Sequence, residues 1–257
     1  MTALHVDRLG RLWVGTPNSG LNLLDAASGQ FTHYRHDPAN PASLSHDWVS
    51  ALWQAADGAL WVGTTGGGLN RLDPEMGRFT RYTADLDDPG SLSSNFVATV
   101  YEDRQGTLWV GTTDAGLNRL DSGQEAFFHY SFQPEDPASL GDIWVTSIYE
   151  DRSGRLWIGT YRGGLNLLDR ATGAFTHYRS DPNDPHSLAN DNIQSIFEDQ
   201  SGMLWFGTFG SGVELYDSYK DKFIHLGGTV VNIHLLEKRL NEYFYGKRKK
   251  VVFLQGD

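Results

Sequence analysis

Apolar and polar positions alternate along this chain in runs of four to six residues, and the runs recur with a period of 48 residues. The marker is a Leu-Trp-apolar-Gly-Thr pentad, first at Leu12-Trp13-Val14-Gly15-Thr16 and then from Leu60, Leu108, Leu156 and Leu204, with no insertion between copies. A fixed period of this length marks a repeat architecture, in which one unit cannot bury its apolar face alone. Aligned on the tryptophan, each unit predicts four strands. In the unit that starts at Val145 they are Val145-Thr146-Ser147-Ile148-Tyr149-Glu150, Leu156-Trp157-Ile158-Gly159-Thr160, Leu165-Asn166-Leu167-Leu168-Asp169 and Phe175-Thr176-His177-Tyr178. All four are rich in β-branched and aromatic residues, and turn residues separate them.

Asp151-Arg152-Ser153-Gly154 reads as the first hairpin, Arg162-Gly163-Gly164 as the second and Asp169-Arg170-Ala171-Thr172-Gly173 as the third. Glycines recur at 10, 58, 106, 154 and 202, and at 20, 68, 116, 164 and 212, where positive φ or a close backbone approach is expected. Units are joined by connections such as Asp181-Pro182-Asn183-Asp184-Pro185-His186-Ser187-Leu188, whose prolines cannot donate to a ladder and whose Asp and Asn favour turns. The leucine at 44, 92, 140 and 188 is expected to anchor each connection onto the sheet.

Four antiparallel strands per unit make a β-propeller blade, a fold that ordinarily has about four to eight blades. The fold class is therefore all-β: a β-propeller of five four-stranded antiparallel blades over residues 1–226, with blades at about 1–48, 49–96, 97–144, 145–192 and 193–226. Residues 227–257 form a basic C-terminal tail of mixed or helical character. Leu236, Leu240, Tyr243 and Phe244 there have the spacing of an amphipathic helix over 233–245.

The repeat resembles the two-component regulator propeller repeat, which fills the periplasmic sensor half of many bacterial hybrid histidine kinases. The residues that carry the likeness are Glu150-Asp151-x-x-Gly154-x-Leu156-Trp157-Ile158-Gly159-Thr160, then Gly164-Leu165-Asn166, Leu168-Asp169, Thr172-Gly173-x-Phe175 and the Ser-Leu connection. The resemblance covers residues 1 to about 226 and implies a non-enzymatic, periplasmic sensor. It also implies seven-bladed rings, often in tandem, followed by a membrane span and kinase domains. Here five blades are counted, and nothing resembles a phosphoacceptor histidine segment or an ATP-binding box.

Charge narrows the partners. Of 21 basic and 32 acidic residues, six basic and three acidic lie in 227–257, leaving the blades with 15 basic against 29 acidic. Such a body argues against nucleic acid, whose phosphates need clustered Lys and Arg. No apolar run is long enough to span a membrane, and no charged-then-apolar leader segment opens the chain, so localisation rests on the resemblance alone. The absence of cysteine excludes disulfides and thiolate metal sites.

Chemistry-bearing residues mostly recur once per unit, which favours structural roles. The pairs Glu102-Asp103, Glu150-Asp151 and Glu198-Asp199 invite a glycosidase reading, but adjacent strand residues point to opposite faces. Histidines 33, 129, 177 and 225 occupy equivalent outer-strand positions, too far apart to share a metal. The Asp/Asn-rich connections lack the alternating ligand spacing of a calcium loop. No catalytic residue, metal or cofactor is assigned.

The units differ where the loop after the tryptophan strand meets the end of the inter-blade connection. Both open on one face of a propeller, so Trp48, Asp114, Trp144, Tyr161, Arg162 and Phe209 are the candidate ligand-binding residues. They offer stacking surfaces and a forked donor, suited to an oligosaccharide or peptide. The competing assignment packs Trp48, Phe96 and Trp144 between blades. The function expected is a ligand-sensing propeller, plausible for carbohydrate. The alternative is a protein-interaction scaffold that engages a protein partner, or a second copy, through the propeller face, open blade edges or the tail.

Overall fold

A computed structural model describes residues 2–73, 75–121 and 123–226; the expected tail helix at 233–245 lies outside them. The twenty strands form five four-stranded antiparallel sheets, each made from four consecutive strands in chain order. The first strands are Ala3–Val6, Val49–Gln54, Val97–Glu102, Val145–Glu150 and Ile193–Glu198. The second strands, which carry the tryptophans, are Leu12–Gly15, Leu60–Thr64, Leu108–Thr112, Leu156–Thr160 and Leu204–Thr208. Third strands begin at Leu21, Gly68, Leu117, Leu165 and Gly212, and fourth strands at Phe31, Arg78, Phe128, Phe175 and Lys222. First strands pack on first strands of the neighbouring sheets, which places them innermost. The five sheets are the blades of a β-propeller.

The period-2 pattern explains how blades stack. One face of each sheet presents the tryptophan and the first leucine of the third strand; the other presents aliphatic residues. Trp61 and Leu69 of the second blade share a core with Val97, Val100, Leu108 and Val110 of the third. Trp109 and Leu117 meet Val145, Ile148, Leu156 and Ile158, and Trp157 and Leu165 meet Ile193, Leu204 and Phe206. Removing such a buried ring (to alanine) typically costs about 3–5 kcal/mol. Leu44, Leu92, Leu140 and Leu188 are fully buried beneath their connections.

The recurring acidic pairs have structural work. Asp103 Oδ1 accepts the Gln105 and Thr107 backbone N–H groups at 2.9 and 3.0 Å, while Oδ2 accepts the Trp109 indole N–H at 2.8 Å. Asp7, Asp151 and Asp199 repeat this, with indole bonds of 2.9, 2.9 and 3.0 Å. The preceding glutamate reaches back one blade: Glu150 Oε2 accepts the Arg104 N–H and Glu198 Oε2 the Arg152 N–H, each at 2.9 Å. Gln54 and Glu102 do the same for Arg8 and Ala56.

Each blade packs on its neighbours in sequence, and no packing of comparable extent joins the fifth blade to the first. The two outer faces show it. On the first blade Leu4 and Val6 are more than half exposed, and on the fifth Phe197 is 60% exposed and Trp205 only half-buried.

Candidate functional site

In the second to fifth blades the pairing of the first strand with the second slips by one residue. The bulged positions are Ser50, Ala98, Thr146 and Gln194, which fall out of the ladder and turn toward the loop end of the propeller. Two of these side chains tie blades together: Ser50 Oγ donates to the Val97 carbonyl at 2.6 Å, and Thr146 Oγ1 donates to the Ile193 carbonyl. Ala98 cannot do so for the fourth blade. A cleft of about 360 Å³ lies at this point, lined by Ala98, Trp144, Thr146, Tyr161, Gln194 and Phe209.

Three of the six residues singled out by sequence thus come together. Trp144 immediately precedes the first strand of the fourth blade and Tyr161 immediately follows its second strand. Their antiparallel ends are joined by the Tyr161 N–H to Trp144 carbonyl bond at 3.0 Å, so the side chains lie alongside one another. The rings stack with centroids 4.5 Å apart and planes 25° from parallel. Phe209 is the equivalent of Tyr161 in the fifth blade and is 68% exposed.

Arg162 does not line the cleft but covers its edge, with its guanidinium carbon 5.1 Å from the Tyr161 ring centre and its backbone N–H bonded to Asp142 at 2.8 Å. Trp48 stands two blades away, and exposed Asp114 lies on the third-blade loop; neither lines the cleft. Trp48, Phe96 and Trp144 are 43%, 45% and 38% exposed, so inter-blade packing does not account for them.

The histidines lie elsewhere. His177 bonds Asn166 at 2.8 Å and the Pro137 carbonyl at 3.1 Å, clamping the preceding connection to the outer strand. Burial holds His177 below its ordinary value, with Arg179 adding to the effect, so it serves as a neutral clamp. Arg81 takes over this work in the second blade, donating to the Ser43 carbonyl at 3.0 Å. Among the described residues no three His, Asp or Glu side chains converge as metal ligands, and no helix is long and apolar enough to cross a membrane.

Sequence reasoning missed Ala98, Thr146 and Gln194. Their signal was present: aligned units read Thr2, Ser50, Ala98, Thr146 and Gln194 at one register, and Ala98 interrupts a hydroxyl series there. That this register faces the loop end depends on the bulge.

Residues 91–114, 139–162 and 187–210 match the family model described as two component regulator propeller. Each matched segment runs from the serine of the connection, across the first hairpin, to the loop after the tryptophan strand; Trp144 and Tyr161 fall in the second segment and Phe209 in the third. No curated protein matches the chain. Among solved structures, the chain is similar to the extracellular domain of BT3049, named as a hybrid two component system, from B. thetaiotaomicron. The two are 26% identical with a TM-score of 0.76, over 88% of this chain and 30% of that one. The extracellular domain of BT4673 from the same organism is 23% identical, with a TM-score of 0.58 over 88% of this chain and 37% of that one. A streptogramin B lyase is 19% identical, with a TM-score of 0.63 over 89% of this chain and 69% of that one. The last two likenesses establish the fold alone. The chain spans about a third of the length of these two extracellular domains.

Proposed function

We propose that this chain, built of two-component regulator propeller repeats, is a non-enzymatic, extracytoplasmic ligand-sensing module that takes an oligosaccharide at its loop end. One observation carries the reading: the exposed Trp144–Tyr161 stack beside Phe209, around a cleft of about 360 Å³. Aromatic faces suit the C–H faces of sugar rings, and a cleft of this volume falls at the lower end of the range for small-molecule sites, about 300–1,000 Å³. Thr146 and Gln194 add a hydroxyl and an amide to the lining. The lining holds no carboxylate or histidine to serve as general acid or base, which supports binding over hydrolysis. The extracytoplasmic placement is carried over from the extracellular domain of BT3049, to which the chain is similar.

Calorimetric titration of the chain with a panel of neutral oligosaccharides tests this. At least one is expected to bind, and Trp144→Ala is expected to weaken it by on the order of tenfold, the loss typical of a central aromatic contact. Absence of heat across the panel, or binding indifferent to Trp144→Ala, overturns the proposal.

A second reading, association with a further copy, is favoured by the end faces. The Trp205–Phe197 face of the fifth blade and the Leu4–Val6 face of the first have the same character as the two halves of every internal blade interface. Light scattering should show concentration-dependent self-association, weakened by Phe197→Ser. A monomer at all concentrations removes this reading.

A further inference from the structure

The second blade lacks the carboxylate that the other four blades place before the tryptophan strand. Asp7, Asp103, Asp151 and Asp199 each accept the indole N–H of the tryptophan six residues on, but the equivalent residue ahead of Trp61 is Ala55. The hairpin itself is partly rescued. Asp57 accepts the Ala59 N–H at 3.0 Å and pairs with Arg71 at 2.5 Å. The Trp61 indole N–H is not rescued. It has no hydrogen-bond partner among the described residues, although Trp61 is only 7% exposed. The N–H is not sealed away from solvent, so an incoming acceptor on a ligand would take the place of water there.

The lost carboxylate leaves space as well as an unmet donor. A cleft of about 350 Å³ lies between the second and third blades here, lined by Ala55, Trp61, Arg71, Tyr82, Glu102 and Asp121 among others. It sits by the first and third hairpins, at the opposite end of the strands from the Trp144 cleft. A carboxylate would replace the missing aspartate most directly, but the charge around the cleft opposes it. Arg71 is already paired with Asp57, and Glu102 and Asp121 add two further carboxylates. Those same groups accept hydrogen bonds from hydroxyls. Tyr82 and Trp61, whose rings lie 5.5 Å apart, supply an apolar wall.

We propose that the cleft vacated by Ala55 is a second binding site, for an uncharged polyhydroxylated ligand such as a monosaccharide unit, with one ligand oxygen accepting the Trp61 indole N–H. Its hydroxyls would donate to the carboxylates at the rim. This site is independent of the Trp144 cleft.

The experiment follows the tryptophan indole N–H resonances of the full chain by two-dimensional nuclear magnetic resonance, with Trp61 assigned through Trp61→Phe. Glucose, galactose and inositol are titrated separately, with acetate as the anionic competitor class. The expected result is a saturable shift of the Trp61 resonance with at least one polyol and none with acetate. Ala55→Asp, which restores the repeat's own carboxylate, should abolish that shift. Calorimetry on Trp61→Phe, which keeps the aromatic wall and deletes the donor, should show the polyol heat lost even where Ala55→Asp folds poorly. A response to acetate alone, an unchanged response in Ala55→Asp, polyol heat retained in Trp61→Phe, or silence to all three polyols overturns the proposal.

Discussion

Asn22, Asn70, Asn118 and Asn166 are replaced in the fifth blade by Glu214, which is fully buried and lies 2.5 Å from His225. Burial pushes the Glu214 carboxyl above its ordinary value, with His225 pulling the other way. A carboxyl raised in the folded state contributes stability that is fully present below its unfolded value and is lost as pH rises through the folded one. Glu214→Gln keeps the shape and removes the titration. Its melting temperature should therefore pull ahead of the parent as pH rises through the folded value of Glu214, with the gap closing in acid. Melting curves over a pH series check this; a gap constant with pH would refute it. Asp7 titrates in the opposite sense. Burial would raise Asp7, but bonds from Trp13 and Arg11 outweigh it and hold the carboxyl below its usual range, so its contribution is lost as pH falls.

Two glycine series punctuate each blade, and their demands differ. Gly154, in the first hairpin, has φ of 84° and open space where a Cβ would stand. Gly164, entering the third strand, has φ of 73° and would place a Cβ 2.2 Å from the Tyr178 carbonyl oxygen. Gly154→Ala should cost only the left-handed backbone penalty, on the order of 1–2 kcal/mol. Gly164→Ala must also push two strands apart and should cost clearly more, as urea unfolding of the two variants would show; equal costs would contradict the close approach. The strands and hairpins were legible in the sequence because period-2 alternation and glycine spacing are local properties repeated five times. The partner of the glutamate that ends the first strand in the third, fourth and fifth blades was not. That partner is the N–H of a residue 46 positions earlier, as for Glu150 and Arg104, and that pairing exists only once blades stack.

The same division holds for the whole molecule. Repetition specified the propeller, and the loops that vary between units held Trp144, Tyr161 and Phe209. Which of the varied residues meet was set by blade order and by a bulge. Trp48 and Asp114 therefore looked equivalent to residues from which the structure separates them. Interruptions of the repeat, Ala98 at one end and Ala55 at the other, mark the two clefts, and both could be seen in the alignment, though alanine announces no chemistry of its own. The ties made by the ends of the first strands run between neighbours, at sequence separations near one repeat: Arg8 to Gln54, Arg104 to Glu150, Arg152 to Glu198. Such a molecule can lengthen by tandem duplication of its gene segment. Each added unit brings both halves of the joint it needs and disturbs none of the existing ones, so the number of blades is free to drift while the rules for making one stay fixed.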